Sequence, residues 1–121
     1  MPMTYFTEQE LACKCGCGKA DMDPAFMAKL NEIRRIVARP FAVTSAYRCP
    51  DYNDQVSKTG RNGPHTTGRA IDIRADSRLR YEIMAEARNQ GITRFGIART
   101  FIHIDDLTEA AGFDGRVIWT Y

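Results

Sequence analysis

The sequence predicts an α+β domain with a small, mainly antiparallel sheet flanked by helices. Two amphipathic helical stretches, several short alternating strands, and the order helix, strand, loop, strand, helix, strands are the observations behind it. With 121 residues and 44% hydrophobic content, the chain fits one core. At this size roughly two-thirds of the unfolded surface can be buried. Two packed enzymes are therefore excluded. One domain is expected over 1–121, with an N-terminal arm over 1–22 and a core over 23–121.

Each element has a local reason. Thr7-Glu8-Gln9-Glu10 has the form of a capping box and starts a short helix. Asp23 can cap a second helix with Pro24 at its first position. Phe26, Met27, Leu30, Ile33 and Val37 then recur at spacings of three and four, a helical face over 24–38 that Pro40 ends. Residues 41–47 are rich in β-branched and aromatic side chains, and the strand they predict delivers Arg48 at its exit. The stretch 49–68 is polar and carries Pro50, Gly60, Gly63, Pro64 and Gly68, so it predicts a long loop with one helical turn around 52–56. Loops of that length are commonly functional. Ala70-Ile71-Asp72-Ile73-Arg74 alternates as a strand. Asp76 then caps a helix whose Leu79, Ile83, Met84 and Ala87 face inward until Gly91 stops it. Short strands are expected over 92–98, 101–105 and 116–121. Phe26, Phe95, Met27 and Met84 are read as core; Trp119 and Tyr121 either line a cleft, where an aromatic can stack on a ligand, or, more commonly for a C-terminal strand, belong to the core.

Composition narrows the partners. Seventeen Lys and Arg against fifteen Asp and Glu give +2, and the basic residues are scattered. Nucleic acid is not an expected partner, because it requires a basic stripe. No apolar run approaches the ~18 residues of a membrane span, and Met1-Pro2-Met3-Thr4-Tyr5-Phe6 lacks the pattern of a secretory leader. Synthesis in the cytoplasm without a signal peptide and a monomeric state are expected.

The chemistry gathers around the only two histidines, His65 and His103. Two imidazoles and a carboxylate are the ligands that a catalytic zinc needs, since three protein groups leave a fourth position for water. His65 ends the flexible loop, and Asp72 follows seven residues later inside a strand, with Gly68 between them to let the chain bend. Ile71 and Ile73 point to the opposite face from Asp72. In Phe101-Ile102-His103-Ile104-Asp105, alternation puts His103 and Asp105 on one face. Residues two apart on a strand lie about 7 Å apart, too far to chelate one ion together. Asp105 is close enough to reach a water beside the ion or to orient a ligand, and the proton-handling role is assigned to it. Each residue alone is more commonly just a satisfied polar group. Together they are costly to bury, and one cation compensates all three.

These segments resemble a known family. Pro64-His65-Thr66-Thr67-Gly68-Arg69-Ala70-Ile71-Asp72 is similar to the S-x-H-x-x-G-x-A-x-D motif of the M15 zinc peptidases, the D-Ala-D-Ala carboxypeptidase group that shares its fold with the Hedgehog signalling domain. Thr44-Ser45-Ala46-Tyr47-Arg48 resembles the family's T-S-x-Y-R segment, and 101–105 its closing F-[VI]-H-[VI]-D strand. The order is the family's and the matches span about 41–105. The resemblance implies a Hedgehog/DD-peptidase-like fold of the phage-type branch, with one catalytic Zn2+ on His65, Asp72 and His103. It implies that Arg48, with Ser45 and Tyr47, binds substrate, and that Arg48 holds a carboxylate or polarised carbonyl oxygen. It further implies peptidoglycan stem peptides as substrate, cut near D-alanine by a carboxypeptidase or endopeptidase; with no leader expected, action at the cell wall is expected through phage-type release or as a virion-associated hydrolase. Two positions depart from the pattern. Gly63 stands where the family has serine, and Arg99, Thr100, Phe101 and Ile102 offer no general base ahead of His103. That second departure keeps a competing class open, a zinc-containing binding module without turnover.

Cys13, Cys15, Cys17 and Cys49 allow three readings. Four thiolates suit a structural zinc, but C-x-C on a short turn struggles to aim both sulfurs at one ion. Disulfides between Cys49 and one of the other three are an alternative. Free thiols packed as small apolar groups are the simplest reading for a chain without a leader.

Overall fold

Capping chemistry sets the helices where the sequence predicts them. A computed structural model describes residues 5–121; Met1 to Thr4, part of the stretch read for a leader, lie outside the described residues. Helix α1, Glu8–Leu11, carries the full reciprocal capping box between Thr7 and Glu10. Helix α2, Pro24–Val37, starts at Asp23, whose carboxylate accepts from Phe26 N and satisfies one orphan donor. Strand β1, Ala42–Ser45, leads into helix α3, Pro50–Val56, and two 3-10 turns, Gly60–Asn62 and Pro64–Thr67. The expected long loop is thus mostly helical turns, because Pro50 opens α3 and the fully buried Asn53 ties it down through Thr59 Oγ1 and Gly60 O. Strand β2, Ala70–Arg74, precedes helix α4, Ser77–Asn89, which Asp76 caps at Leu79 N. Strands β3, Arg94–Ile97, β4, Phe101–Asp105, and β5, Val117–Thr120, complete the chain.

The sheet runs β1-β2-β4-β3-β5. Three of its pairings are antiparallel, and β3 with β5 is parallel. In the β2/β4 ladder Ile71 faces Ile104 and Ile73 faces Ile102. These four side chains are fully buried, and α2 and α4 add Phe26, Leu30, Ile33 and Ile83 to the same core. Removing one such side chain, for example Leu30→Ala, costs about 2–5 kcal/mol. With one sheet face sealed by helices, the alternating residues Asp72 and His103 occupy the other. Among the described residues, no helix is long and apolar enough to cross a membrane.

Candidate metal centre

Strand register brings the site together. Asp72 lies directly opposite His103, and the same row across the sheet contains Ser45, Gly96 and Trp119. His65 enters from the 3-10 turn that precedes β2. Gly68, at φ 77, turns the chain from one to the other, and a side chain there would meet Asp21 O at 2.1 Å. The bend expected at this glycine is therefore both a conformational and a steric requirement. His65 Nε2 lies 3.3 Å from Asp72 Oδ2, and His103 Nδ1 lies 2.8 Å from Asp72 Oδ1. The ligating atoms of all three residues fall within 4.8 Å of one another, and all three residues are buried.

Hydrogen bonds fix which nitrogen faces the group. His65 Nδ1 is 2.7 Å from Ala46 O. A carbonyl only accepts, so Nδ1 carries the proton and Nε2 offers its lone pair. His103 Nε2 is 2.7 Å from Asp105 Oδ2, which leaves Nδ1 for Asp72. Burial lowers the affinity of His103 for a second proton, but its bonds to Asp105 and Asp72 outweigh that and raise its pKa to about 8. Burial raises Asp72, and its bonds to His103 and His65 outweigh it, holding the carboxyl well below the usual carboxylate range. A buried carboxylate between two imidazoles is a seat for positive charge. A nitrogen, oxygen, nitrogen set of this kind fits zinc.

Beside the group opens a cavity of about 520 Å³, lined by Arg48, Arg94, Asp114, Phe101, Trp119 and Tyr121 among others. Arg48 reaches it with its guanidinium held in place: Nε donates to Ser45 Oγ at 2.9 Å, NH1 donates to Asn53 Oδ1 at 3.0 Å, and NH2 lies 3.7 Å from Asp72 Oδ2. Its backbone N–H bonds His65 O at 3.1 Å, so the strand exit and the histidine turn are tied together.

The structure places three of the expected site residues away from the cavity. Asp105, assigned to proton handling, is fully buried; Oδ2 binds His103 Nε2, and Oδ1 accepts from Arg94 Nε at 2.6 Å and Leu107 N at 3.2 Å. It sits behind the imidazole, the position from which a carboxylate orients a ligand, the other role that its spacing allowed. Ser45 and Tyr47, expected to contact substrate, are buried and do not line the cavity. Ser45 holds Arg48, while Tyr47 N bonds Leu11 O and anchors the arm.

Other residues were missed. Arg94 neutralises Asp105, and no spacing rule pairs them, because they meet only through the β3/β4 register. Asn53, within the helical turn expected over 52–56, carried no sign of its bond to Arg48. Tyr121, 70% exposed, and Trp119 both line the cavity instead of the core, the alternative their aromatic rings allowed, and the Trp119 ring packs 5.3 Å from the His103 ring. Gly96 makes room for it, since a Cβ there would lie 2.6 Å from the indole nitrogen.

Three oriented donors of this type beside an open cleft are the donor set that a metallohydrolase uses. The family model described as Peptidase M15 matches residues 4–105, and the chain belongs to that metallopeptidase family. No curated protein matches the chain.

Proposed function

We propose that this chain binds one Zn2+ through His65 Nε2, the Asp72 carboxylate and His103 Nδ1, and hydrolyses peptidoglycan stem peptides at a bond near D-alanine. The observation that carries the reading is the pair of fixed imidazoles: Ala46 O and Asp105 each hold the far nitrogen, so both near nitrogens point at Asp72 beside the cavity. Bound zinc supplies an acidified water and polarises the scissile carbonyl.

The chain's own residues do the rest. Arg48, always charged and able to form two parallel hydrogen bonds, takes the carboxylate of a D-amino acid or steadies the carbonyl oxygen. Ser45 and Asn53 keep its fork aimed at the cleft. Asp105, neutralised by Arg94, keeps the Nε2 proton on His103 and so preserves the Nδ1 lone pair. Among the described residues lining the cavity, Asp114 is the carboxylate outside the donor group, and proton transfer to the leaving amine falls to it. Phe101, Trp119 and Tyr121 form an apolar wall against which a stem peptide packs. All these groups come from one chain, so a monomer suffices. The substrate of this reading lies in the cell wall.

Defined muropeptides, digested with and without chelator and analysed by mass spectrometry, test this. Zinc-dependent release of D-alanine or of a cleaved cross-link is expected. A second reading, a binding module that keeps the ion without turnover, draws on one observation: Asp105 is fully engaged, so no free carboxylate adjoins His103 on its own strand. Zinc binding with no cleaved product would select it.

A further inference from the structure

The cysteine arm lies outside the cleft and its chemistry is unused by the peptidase reading. Cys13, Cys15, Cys17 and Cys49 bring their four sulfurs within 4.8 Å of one another. Cys13 and Cys15 sulfurs are 3.4 Å apart, and Cys15 and Cys49 sulfurs 3.7 Å. A tetrahedral zinc with Zn–S distances of about 2.3 Å puts its sulfurs about 3.8 Å from one another. The objection from C-x-C spacing assumes an ordinary backbone, which the arm does not have. Gly16, at φ 88, and Gly18, at φ 81, are left-handed, and a Cβ on either would meet no atom within 4 Å. These glycines serve the turn alone. Cys13 N bonds Lys19 O at 2.8 Å, closing the loop, and Cys49 N donates to Cys13 Sγ at 3.3 Å. An N–H aimed at sulfur favours the thiolate that a metal needs.

The packed-thiol reading fails at two positions, because Cys15 and Cys17 are exposed and bury nothing. The arm also lacks other support. Between α1 and α2 the residues 12–23 form no helix or strand. Short segments without a core of their own are commonly stapled by a structural metal.

We propose that the four cysteines bind a second, structural Zn2+ as a closed tetrathiolate site that braces the cleft. The route is short. Cys49 follows Arg48, Tyr47 N bonds Leu11 O, and Ala46 O fixes the His65 tautomer. The ion thus clamps the arm onto the segment that sets both Arg48 and His65. This inference stands independently of the cleft's function.

Metal analysis of protein purified under reducing conditions tests it. Wild type is expected to hold two zinc per chain, Asp72→Ala one, and the double variant Cys15→Ser, Cys17→Ser also one. Cobalt-loaded Asp72→Ala should show the intense visible bands and near-ultraviolet charge transfer of a tetrahedral cobalt thiolate, and the cysteine variant should lack the charge transfer. If the cysteine variant fails to fold, alkylation of wild type decides: Cys15 and Cys17 should resist iodoacetamide despite their exposure and become reactive on chelation. Unprotected thiols, disulfide-linked cysteines in freshly purified protein, cobalt spectra without thiolate charge transfer, or iron in place of zinc would each overturn the proposal.

Discussion

The cleft and the cysteine arm both gather donor side chains, by opposite means. In the cleft, rigid strands and a buried hydrogen-bond network aim every donor: Asp105 and Ala46 O hold the imidazoles, and Arg94 neutralises Asp105. In the arm, flexible glycines allow four like donors to converge, and little besides backbone fixes them. The difference teaches how a chain separates a working site from a staple. Three dissimilar donors beside a cavity leave room for substrate, whereas four thiolates close around an ion and exclude it. The cleft's order should therefore survive metal removal, while the arm's should depend on it.

Substitutions can break that contrast at either end. Asp72→Ala removes the carboxylate shared by both imidazoles. It is expected to abolish cleft zinc and reduce hydrolysis of muropeptides by more than about 1,000-fold, the scale of losing an entire catalytic unit. Metal analysis and product assays on the same sample check both.

Asp105→Asn asks whether the residue orients or handles protons. An orienting role predicts zinc affinity weaker by about 10–100-fold, measured by competition with a chelating dye. Unchanged affinity with a lower kcat would restore the proton-handling role.

The metal-free cleft should carry its own pH signature. His103 is raised from 6.5 to about 8, so its imidazolium stabilises the fold fully below its unfolded value and loses that contribution as pH rises through about 8. The loss amounts to up to about 2 kcal/mol, at about 1.4 kcal/mol per unit. Urea unfolding of chelated protein at about pH 6 and about pH 9 measures it. Zinc-loaded protein should not show the dependence, because the ion takes the proton's place on Nδ1.

The smallest expected effect is that of Trp119→Ala. Losing an aromatic wall residue should raise KM about 3- to 10-fold, roughly 1 kcal/mol of contact, and lower kcat less.

Much of the cleft was legible because its logic is local. Alternation in 70–74 and 101–105 placed Asp72 and His103 on one face, and Gly68 marked the bend toward His65. Arg48 was placed by the strand it follows. What escaped depends on register between strands distant in sequence. Arg94 meets Asp105, and Trp119 meets His103, only because β4, β3 and β5 pair in that order. The departure at Gly63 was visible but its reason was not: a Cβ there would sit 2.0 Å from Thr59 Oγ1, so the threonine already fills the space a serine would need. In the arm, spacing alone said nothing of the left-handed Gly16 and Gly18, which let the four sulfurs converge.

Diffraction from zinc-replete crystals, recorded on both sides of the zinc absorption edge, tests the central claim most directly. An anomalous peak touching His65 Nε2, the Asp72 carboxylate and His103 Nδ1 is the predicted result. A cleft without such a peak, or an ion held through His103 Nε2 instead, would contradict it.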